Sequence, residues 1–187
     1  MPRSQAAVKI ENVVASATLN QKVDLNAIVK SFPTVEYRPE QFPGLVFRLR
    51  KPKTATLIFS SGKMVCTGAK SEKEAKRAVL KVISELKKSG IVIVSKPELK
   101  IQNIVASGNL YGRIDLEKCA YTLGKTMYEP EQFPGLIYRM VDPKVVILLF
   151  ASGKLVCTGA KQEGDVYKSV EKLHAKLEDD ELIYYEE

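Results

Sequence analysis

The sequence predicts an α+β fold made of two pseudo-symmetric repeats, each an antiparallel sheet with both of its helices on one face. Three observations predict it. A shift of 128 − 37 = 91 residues lays 37–70 on 128–161 without a gap, and 22 of the 34 positions are identical. Each copy contains short runs in which apolar and polar residues alternate, as half-buried strands require. Each copy then continues into a longer run with apolar residues at helical spacing. Two copies are too few for a solenoid, so a two-part molecule is expected, with residues 1–96 and 97–187 as its repeats.

Lys9–Leu19 reads as the first strand, and its core IENVVAS, from Ile10, returns as IQNIVAS from Ile101. Asp24 can cap a short helix that gathers Leu25, Ile28 and Val29. Three strands follow at Leu45–Arg50, Thr54–Phe59 and Lys63–Thr67, the last two joined by a tight Ser-Ser-Gly turn. Ser71 and Glu74 form a capping box. It opens a helix whose Ala75, Ala78, Val79, Val82, Ile83 and Leu86 share one face. Gly90 ends this helix, and Ile91–Val94 is expected as a closing strand. The second repeat runs in the same order, with Gln162–Leu177 as its long helix and LIYY, from Leu182, opposite IVIV. Two such units side by side would share one long curved sheet, with the helices on one side.

Composition narrows the function. Of 187 residues, 45% are apolar, enough for an ordinary core. No apolar run is long enough to span a membrane. The segment MPRSQAAVK lacks the apolar centre of a secretory signal, which predicts a protein that stays inside the cell, in the cytoplasm or, in a eukaryote, the nucleus. Cys66, Cys119 and Cys157 show no paired spacing, and an odd count suits a reducing compartment. With His174 as the one histidine, the expectation is no catalytic residues, no metal and no cofactor. Net charge is 29 − 22 = +7, which suits a polyanion. It is unevenly spread: residues 1–90 carry 17 − 7 = +10 and residues 91–187 carry 12 − 15 = −3.

Side chains alternate across a strand, so each strand divides into two faces. Val13, Ala15 and Ala17, Leu45, Phe47 and Leu49, and Met64 and Cys66 suit a core under the helices. The opposite sets should be polar if they met only water. They are instead Asn12, Val14 and Ser16; Val46, Arg48 and Arg50; Leu57 and Phe59; Lys63, Val65 and Thr67. The second repeat matches them with Asn103, Val105, Ile137, Arg139, Leu148, Phe150, Lys154, Val156 and Thr158. A large apolar face edged with cations marks a binding surface, and no segment is left over to cover it from within. A DNA minor groove fits this face: phosphates line its rims, and at A·T pairs its floor carries acceptors without a protruding amino group.

The duplicated PEQFPGL, the LIF and LLF strands, SGK and CTGAK resemble the TATA-box-binding protein family over nearly the whole chain, in its archaeal form. The resemblance implies a saddle-shaped curved antiparallel β-sheet with helices on the convex face. It implies a general transcription initiation factor that binds A/T-rich TATA-box promoter DNA and bends it with apolar wedges, the mechanism for which this family is known. Carried over position by position, Phe42 and Phe59 match one wedge pair, and Phe133 and Phe150 the other. Asn12 and Asn103 match the central hydrogen-bonding pair. Val14, Val65, Val105 and Val156 match groove-floor contacts, and Leu57 and Leu148 lie on the same face. Thr67 and Thr158 match the threonines beside them, and Arg48, Arg139, Lys63 and Lys154 match rim residues near phosphates. Glu129 and Glu131 match an acidic loop that engages transcription factor B, through which RNA polymerase is recruited indirectly. Arg38 stands where Glu129 stands in the other copy. A homodimer of the DNA-free protein through the apolar face is left open.

Plainer readings stand beside these. Each Phe could be ordinary core, but four in duplicate, two of them at turns, favour a surface role. SSGK and ASGK fail the spacing of a phosphate loop and read as hairpin turns. Cys66 and Cys157 read as small buried hydrophobes. Lys73, Lys76, Arg77, Lys87 and Lys88 read as a solvated helix face, or as contacts to other factors or upstream DNA. Glu178, Asp179, Asp180 and Glu181 replace Lys87–Gly90 in the second copy, for solubility or to repel DNA. His174 reads as a surface helix residue. Two rival functions remain: a protein–protein adaptor using the same face, and a relative of DNA glycosylases, which lacks the expected catalytic Lys-Asp or helix-hairpin-helix.

Overall fold

The computed structural model describes residues 6–186. The chain forms two compact units, one of residues 12–102 and one of residues 103 onward together with the segment up to Glu11. They are called the first and second unit below. In chain order the elements begin with β1 (Ala7–Thr18), α1 (Leu25–Ser31), β2 (Leu45–Arg50), β3 (Lys53–Ile58), β4 (Lys63–Ala69) and α2 (Glu72–Lys88). They continue with β5 (Glu98–Asn109), β6 (Arg113–Ile114), α3 (Leu116–Thr122), β7 (Thr126–Met127), β8 (Leu136–Met140), β9 (Val145–Leu149), β10 (Lys154–Ala160), α4 (Glu163–Asp179) and β11 (Ile183–Tyr184).

In the first unit the strand order is β2-β3-β4-β1, and all of these pairs are antiparallel. The alternation drawn from the sequence is observed with two exceptions: Leu49 is only partly buried, and Ser16, expected on the open face, is buried, its hydroxyl accepting from Gln102 Nε2 at 2.7 Å. Ala17, Leu45, Phe47, Ile58, Met64 and Cys66 pack with Leu25 and Ile28 of α1 and with Ala78, Val79, Val82, Ile83 and Leu86 of α2. Both helices therefore cover the same sheet face. Val29 departs from the expectation and is exposed. In a helix of only two turns, Leu25 and Ile28 define the buried stripe, and Val29 lies a further 100° round the axis.

The caps are those the sequence announces. The Asp24 carboxylate accepts from the Ala27 N–H at 3.2 Å, and the Ser71 hydroxyl accepts from the Glu74 N–H at 3.0 Å. In the second unit Asp115 repeats the first of these, accepting from the Lys118 N–H at 3.1 Å. Gln162 makes no side-chain cap, and α4 begins one residue later than expected. Its first turn carries Glu163 and Asp165, whose charge favours the helix N-terminus.

The second unit has the order β5-β10-β9-β8-β7, with a separate two-stranded ladder of β6 and β11. Both units break register in the same place, between Val13 and Ala15 on β1 and between Cys157 and Ala160 on β10. Each long helix also ties down a hairpin: the Lys81 ammonium donates to the Lys51 carbonyl, and Lys172 donates to the Asp142 carbonyl. The Ser-Ser-Gly turn needs its glycine twice over. Gly62 has φ +94°, and a Cβ there would stand 2.2 Å from the Gln21 carbonyl oxygen.

One expected strand is absent among the described residues. Ile91–Val94 joins no ladder in the first unit, whereas its counterpart supplies β11. Residue 21 accounts for the difference. In the second unit the equivalent position is Gly112, where a Cβ would meet Ile183 at 2.6 Å, so backbone can approach backbone and β6 pairs with β11. In the first unit Gln21 fills that space with its side-chain amide. Its Nε2 donates to the Val92 carbonyl at 2.8 Å, and its Oε1 accepts from the N–H groups of Val94 and Ser95 at 2.8 and 3.2 Å.

Candidate nucleic-acid interface

Strand register assembles the face opposite the helices in rows. In the first unit Val46, Leu57 and Val65 lie side by side across β2, β3 and β4, and Arg48, Ala55 and Thr67 form the next row. In the second unit Ile137, Leu148, Val156 and Ser107 form one row, and Arg139, Val146 and Thr158 the next. Val14 and Val105 stand on the same faces of β1 and β5. The apolar members of these rows remain half-exposed, while most of their neighbours on the helix side are buried, Leu49 and Tyr138 being only partly so. Arg48, Lys63, Arg139 and Lys154 are exposed. Each unit therefore carries an apolar, half-exposed sheet face with cations among its rows.

Asn12 and Asn103 are held in one orientation. The Gly68 N–H donates to Asn12 Oδ1 at 2.7 Å, and the Asn12 Nδ2 group donates to Thr67 Oγ1 at 3.0 Å. The Gly159 N–H donates to Asn103 Oδ1 at 2.7 Å, and Asn103 Nδ2 donates to Thr158 Oγ1 at 3.2 Å. A backbone N–H can only donate, so the atom facing it is the amide oxygen. One Nδ2 hydrogen per Asn is thereby left over. Each unit offers a fixed donor, and Thr67 and Thr158 are the groups that fix it.

The four phenylalanines form two pairs. Phe42 packs edge-on against Phe59 with ring centroids 5.8 Å apart, and Phe133 against Phe150 at the same separation. Phe42 is 44% exposed and Phe133 40%. The Pro-Gly corner makes room for them: a Cβ on Gly44 would lie 2.7 Å from Phe42 Cε1 and 3.0 Å from Phe59 Cε1. On Gly135 it would lie 2.9 Å from Phe133 Cε1 and 3.0 Å from Phe150 Cε1. Glu129 and Glu131 are exposed on the loop that leads to Phe133. The Glu129 carbonyl accepts from the Gln132 and Phe133 N–H groups, as the Arg38 carbonyl does from Gln41 and Phe42. One backbone turn thus carries opposite charges in the two copies.

Three further residues escape the sequence reading, two of them on this face. Lys9, with Ala7 and Val8, closes a groove of about 670 Å³ against Phe150, Lys154 and Val156 in the second unit. Glu36 bridges Val46 through both of its main-chain groups, and its carboxylate lies 3.6 Å from the Arg48 guanidinium. It sits outside any strand long enough to show alternation. Gln21, described above, lies in a loop where sequence carries no period.

The three thiols are buried, as expected for Cys66 and Cys157. Burial pushes the Cys119 thiol up to about 11 and raises the other two. His174 corrects an expectation. Far from being a surface residue, its side chain is 13% exposed. Its Nε2 lies 2.7 Å from the Tyr185 hydroxyl and 3.1 Å from Glu178, and that hydroxyl donates to Glu178 at 2.6 Å. Helical spacing sets His174 four residues before Glu178, and the incoming Tyr185 covers both. No cluster of metal-ligating side chains occurs among the described residues. No helix among them is long and apolar enough to cross a membrane.

The family model described as "Transcription factor TFIID (or TATA-binding protein, TBP)" matches residues 7–89 and again residues 98–179. The chain belongs to the TATA-binding protein family. A TATA-box-binding protein of Sulfurisphaera tokodaii is 57% identical over 92% of this chain and 87% of its own length. One from Pyrodictium occultum is 59% identical over 90% of this chain and 84% of its own. A solved structure of the Methanococcus jannaschii TATA-binding protein, 49% identical, superposes with a TM-score of 0.83 over 92% of this chain and 98% of that one. The two-repeat α+β fold expected from the sequence is therefore the fold of the TATA-binding protein family. Its members are DNA-binding transcription factors, not enzymes.

Proposed function

We propose that this protein is a general transcription initiation factor that binds the minor groove of A/T-rich TATA-box promoter DNA. The observation that carries the reading is the open face of each unit, apolar and half-exposed, with one locked amide donor upon it. A·T pairs present acceptors alone on the groove floor, which the spare Nδ2 hydrogens of Asn12 and Asn103 suit. A guanine amino group would protrude into Val14, Val65, Val105 and Val156. Phe42 with Phe59, and Phe133 with Phe150, act as wedges that unstack a base step and kink the duplex. That costs a few kcal/mol and is offset by the larger surface a bent duplex contacts, as in other minor-groove architectural proteins. Arg48, Lys63, Arg139 and Lys154 neutralise phosphates at the rims.

Residues 1–96 and 97–187 are read as the two halves that engage the two ends of the element. Glu129 and Glu131 recruit transcription factor B, and RNA polymerase follows through it. The site of action is the cytoplasmic nucleoid, in keeping with the archaeal relatives.

A duplex library bound at two salt concentrations tests the reading. A/T-rich sequences should be enriched, and binding should weaken steeply with salt. Lys63→Ala and Lys154→Ala should each reduce the slope by about one unit and weaken all sequences alike. Equal retention of A/T-rich and G/C-rich duplexes would overturn it.

A further inference from the structure

Glu36 lies on the face that is read above as meeting phosphate. Its N–H donates to the Val46 carbonyl at 3.2 Å and its carbonyl accepts from the Val46 N–H at 2.8 Å, so the two residues stand directly opposite. Directly paired residues share a face, and Val46 is on the open one. Arg48, two residues further along β2, shares that face, and its Nη2 lies 3.6 Å from Glu36 Oε1. In the second unit the equivalent of Glu36 is Met127, which stands opposite Ile137 on β8. Arg139, the equivalent of Arg48, has no carboxylate partner among the described residues. The two copies thus carry the same guanidinium in different electrostatic settings.

We propose that Glu36 competes with phosphate for Arg48, so that the first unit grips the duplex margin less tightly than the second and is the one to release first. The inference rests on the DNA-binding reading above and deepens it. The side chains of Arg48 and Glu36 are 60% and 61% exposed, so water and salt already weaken the pair. A pair of that kind is too weak to exclude phosphate from Arg48, but strong enough to tax its binding. The carboxylate also stays beside the phosphate once the pair has parted, and like charges repel. Met127 imposes neither cost on Arg139.

A double-mutant cycle on an A/T-rich duplex at low salt tests this, with melting temperature as a check that each variant is folded. Arg139→Ala should weaken binding by about two- to fivefold more than Arg48→Ala, the range set by an exposed ion pair. Glu36→Met should tighten binding by a similar factor and raise the cost of Arg48→Ala to that of Arg139→Ala. Met127→Glu should lower the cost of Arg139→Ala. If Glu36→Met tightens binding equally with and without Arg48, the carboxylate acts on DNA alone and the competition is overturned. Equal costs for Arg48→Ala and Arg139→Ala overturn it too. Failure of the functional reading looks different: the parent protein itself would show no preference for A/T-rich over G/C-rich duplex.

Discussion

A phenyl ring that is 40% exposed cannot be what holds a core together. Truncating a buried Phe costs about 3–5 kcal/mol of stability. Phe133→Ala is therefore expected to leave the melting temperature near that of the parent. It should reduce the DNA bend, read by energy transfer between labelled duplex ends. A variant that melts far lower yet bends DNA normally would make Phe133 a packing residue. Gly135→Ala probes the same ring pair from beneath. Its Cβ would press on Phe133 Cε1 at 2.9 Å and on Phe150 Cε1 at 3.0 Å, both at the movable ends of side chains. The rings should part at little cost to folding, and on the proposed wedge role DNA affinity should fall. The thiols make a different kind of residue-scale prediction. The Cys119 pKa rises from the ordinary 9.0 to about 11 because burial disfavours the thiolate. Below pH 9 both folded and unfolded chains keep this proton, and its contribution is fully present. Between pH 9 and about 11 the unfolded chain releases the proton while the folded chain keeps it, so stability falls as pH rises. Cys119→Ala should flatten part of that fall, measured as the change in urea midpoint between pH 8.5 and 10.5 relative to the parent.

At the scale of elements, Gln21 does with one side chain what β6 does with a backbone. Gln21→Ala removes all three hydrogen bonds to residues 92–95. Amide exchange at Val94 and Ser95 should accelerate, while the β4 amides stay protected. The cost to global stability should be about 1–2 kcal/mol, since these groups are solvent-accessible and water replaces the lost partner. Unchanged exchange at Val94 would mean that the segment is held by something else. This element also marks where sequence reading stops. Strands β2, β3 and β4 and helix α2 were legible because alternation and 3.6-residue spacing record which side meets the core. Asp24 and Ser71 were legible because capping is local chemistry. The fate of Ile91–Val94 was not, because IVIV has the propensity of a strand whether or not a partner strand is there. The decision lay seventy residues away, at Gln21 in one copy and Gly112 in the other. The candidate face was legible for a related reason: Val, Leu and Phe where alternation calls for polar residues are conspicuous. Glu36 and His174 were not: Glu36 meets Val46 and Arg48 of another segment, and His174 is covered by Tyr185 arriving from beyond its helix.

For the whole molecule, the near-identity of the repeats throws the differences into relief. The basic excess lies in residues 1–90 and the acidic excess beyond them. Lys73, Lys76, Arg77, Lys87 and Lys88 are exposed on α2, whereas α4 has Gly164, Tyr167, Lys168, Glu178 and Asp179 at the matching places. The turn before each Phe pair carries Arg38 in one copy and Glu129 in the other. If that difference selects the end at which transcription factor B docks, Glu129→Arg with Glu131→Arg should leave DNA affinity nearly unchanged and abolish the ternary complex. A ternary complex that forms normally on native gels would remove the acidic loop from the recruitment reading. The Pro-Gly corner shows the opposite behaviour, being repeated letter for letter as PEQFPGL. Its glycine lies under two rings, so a larger residue there displaces both, and a smaller ring leaves the space that only glycine had needed to keep clear. Divergence of duplicated segments proceeds by single substitutions, each of which must be tolerated before the next arrives. At this corner the first step in either direction already disturbs a pair of side chains, so neither copy has an easy path away from its ancestor.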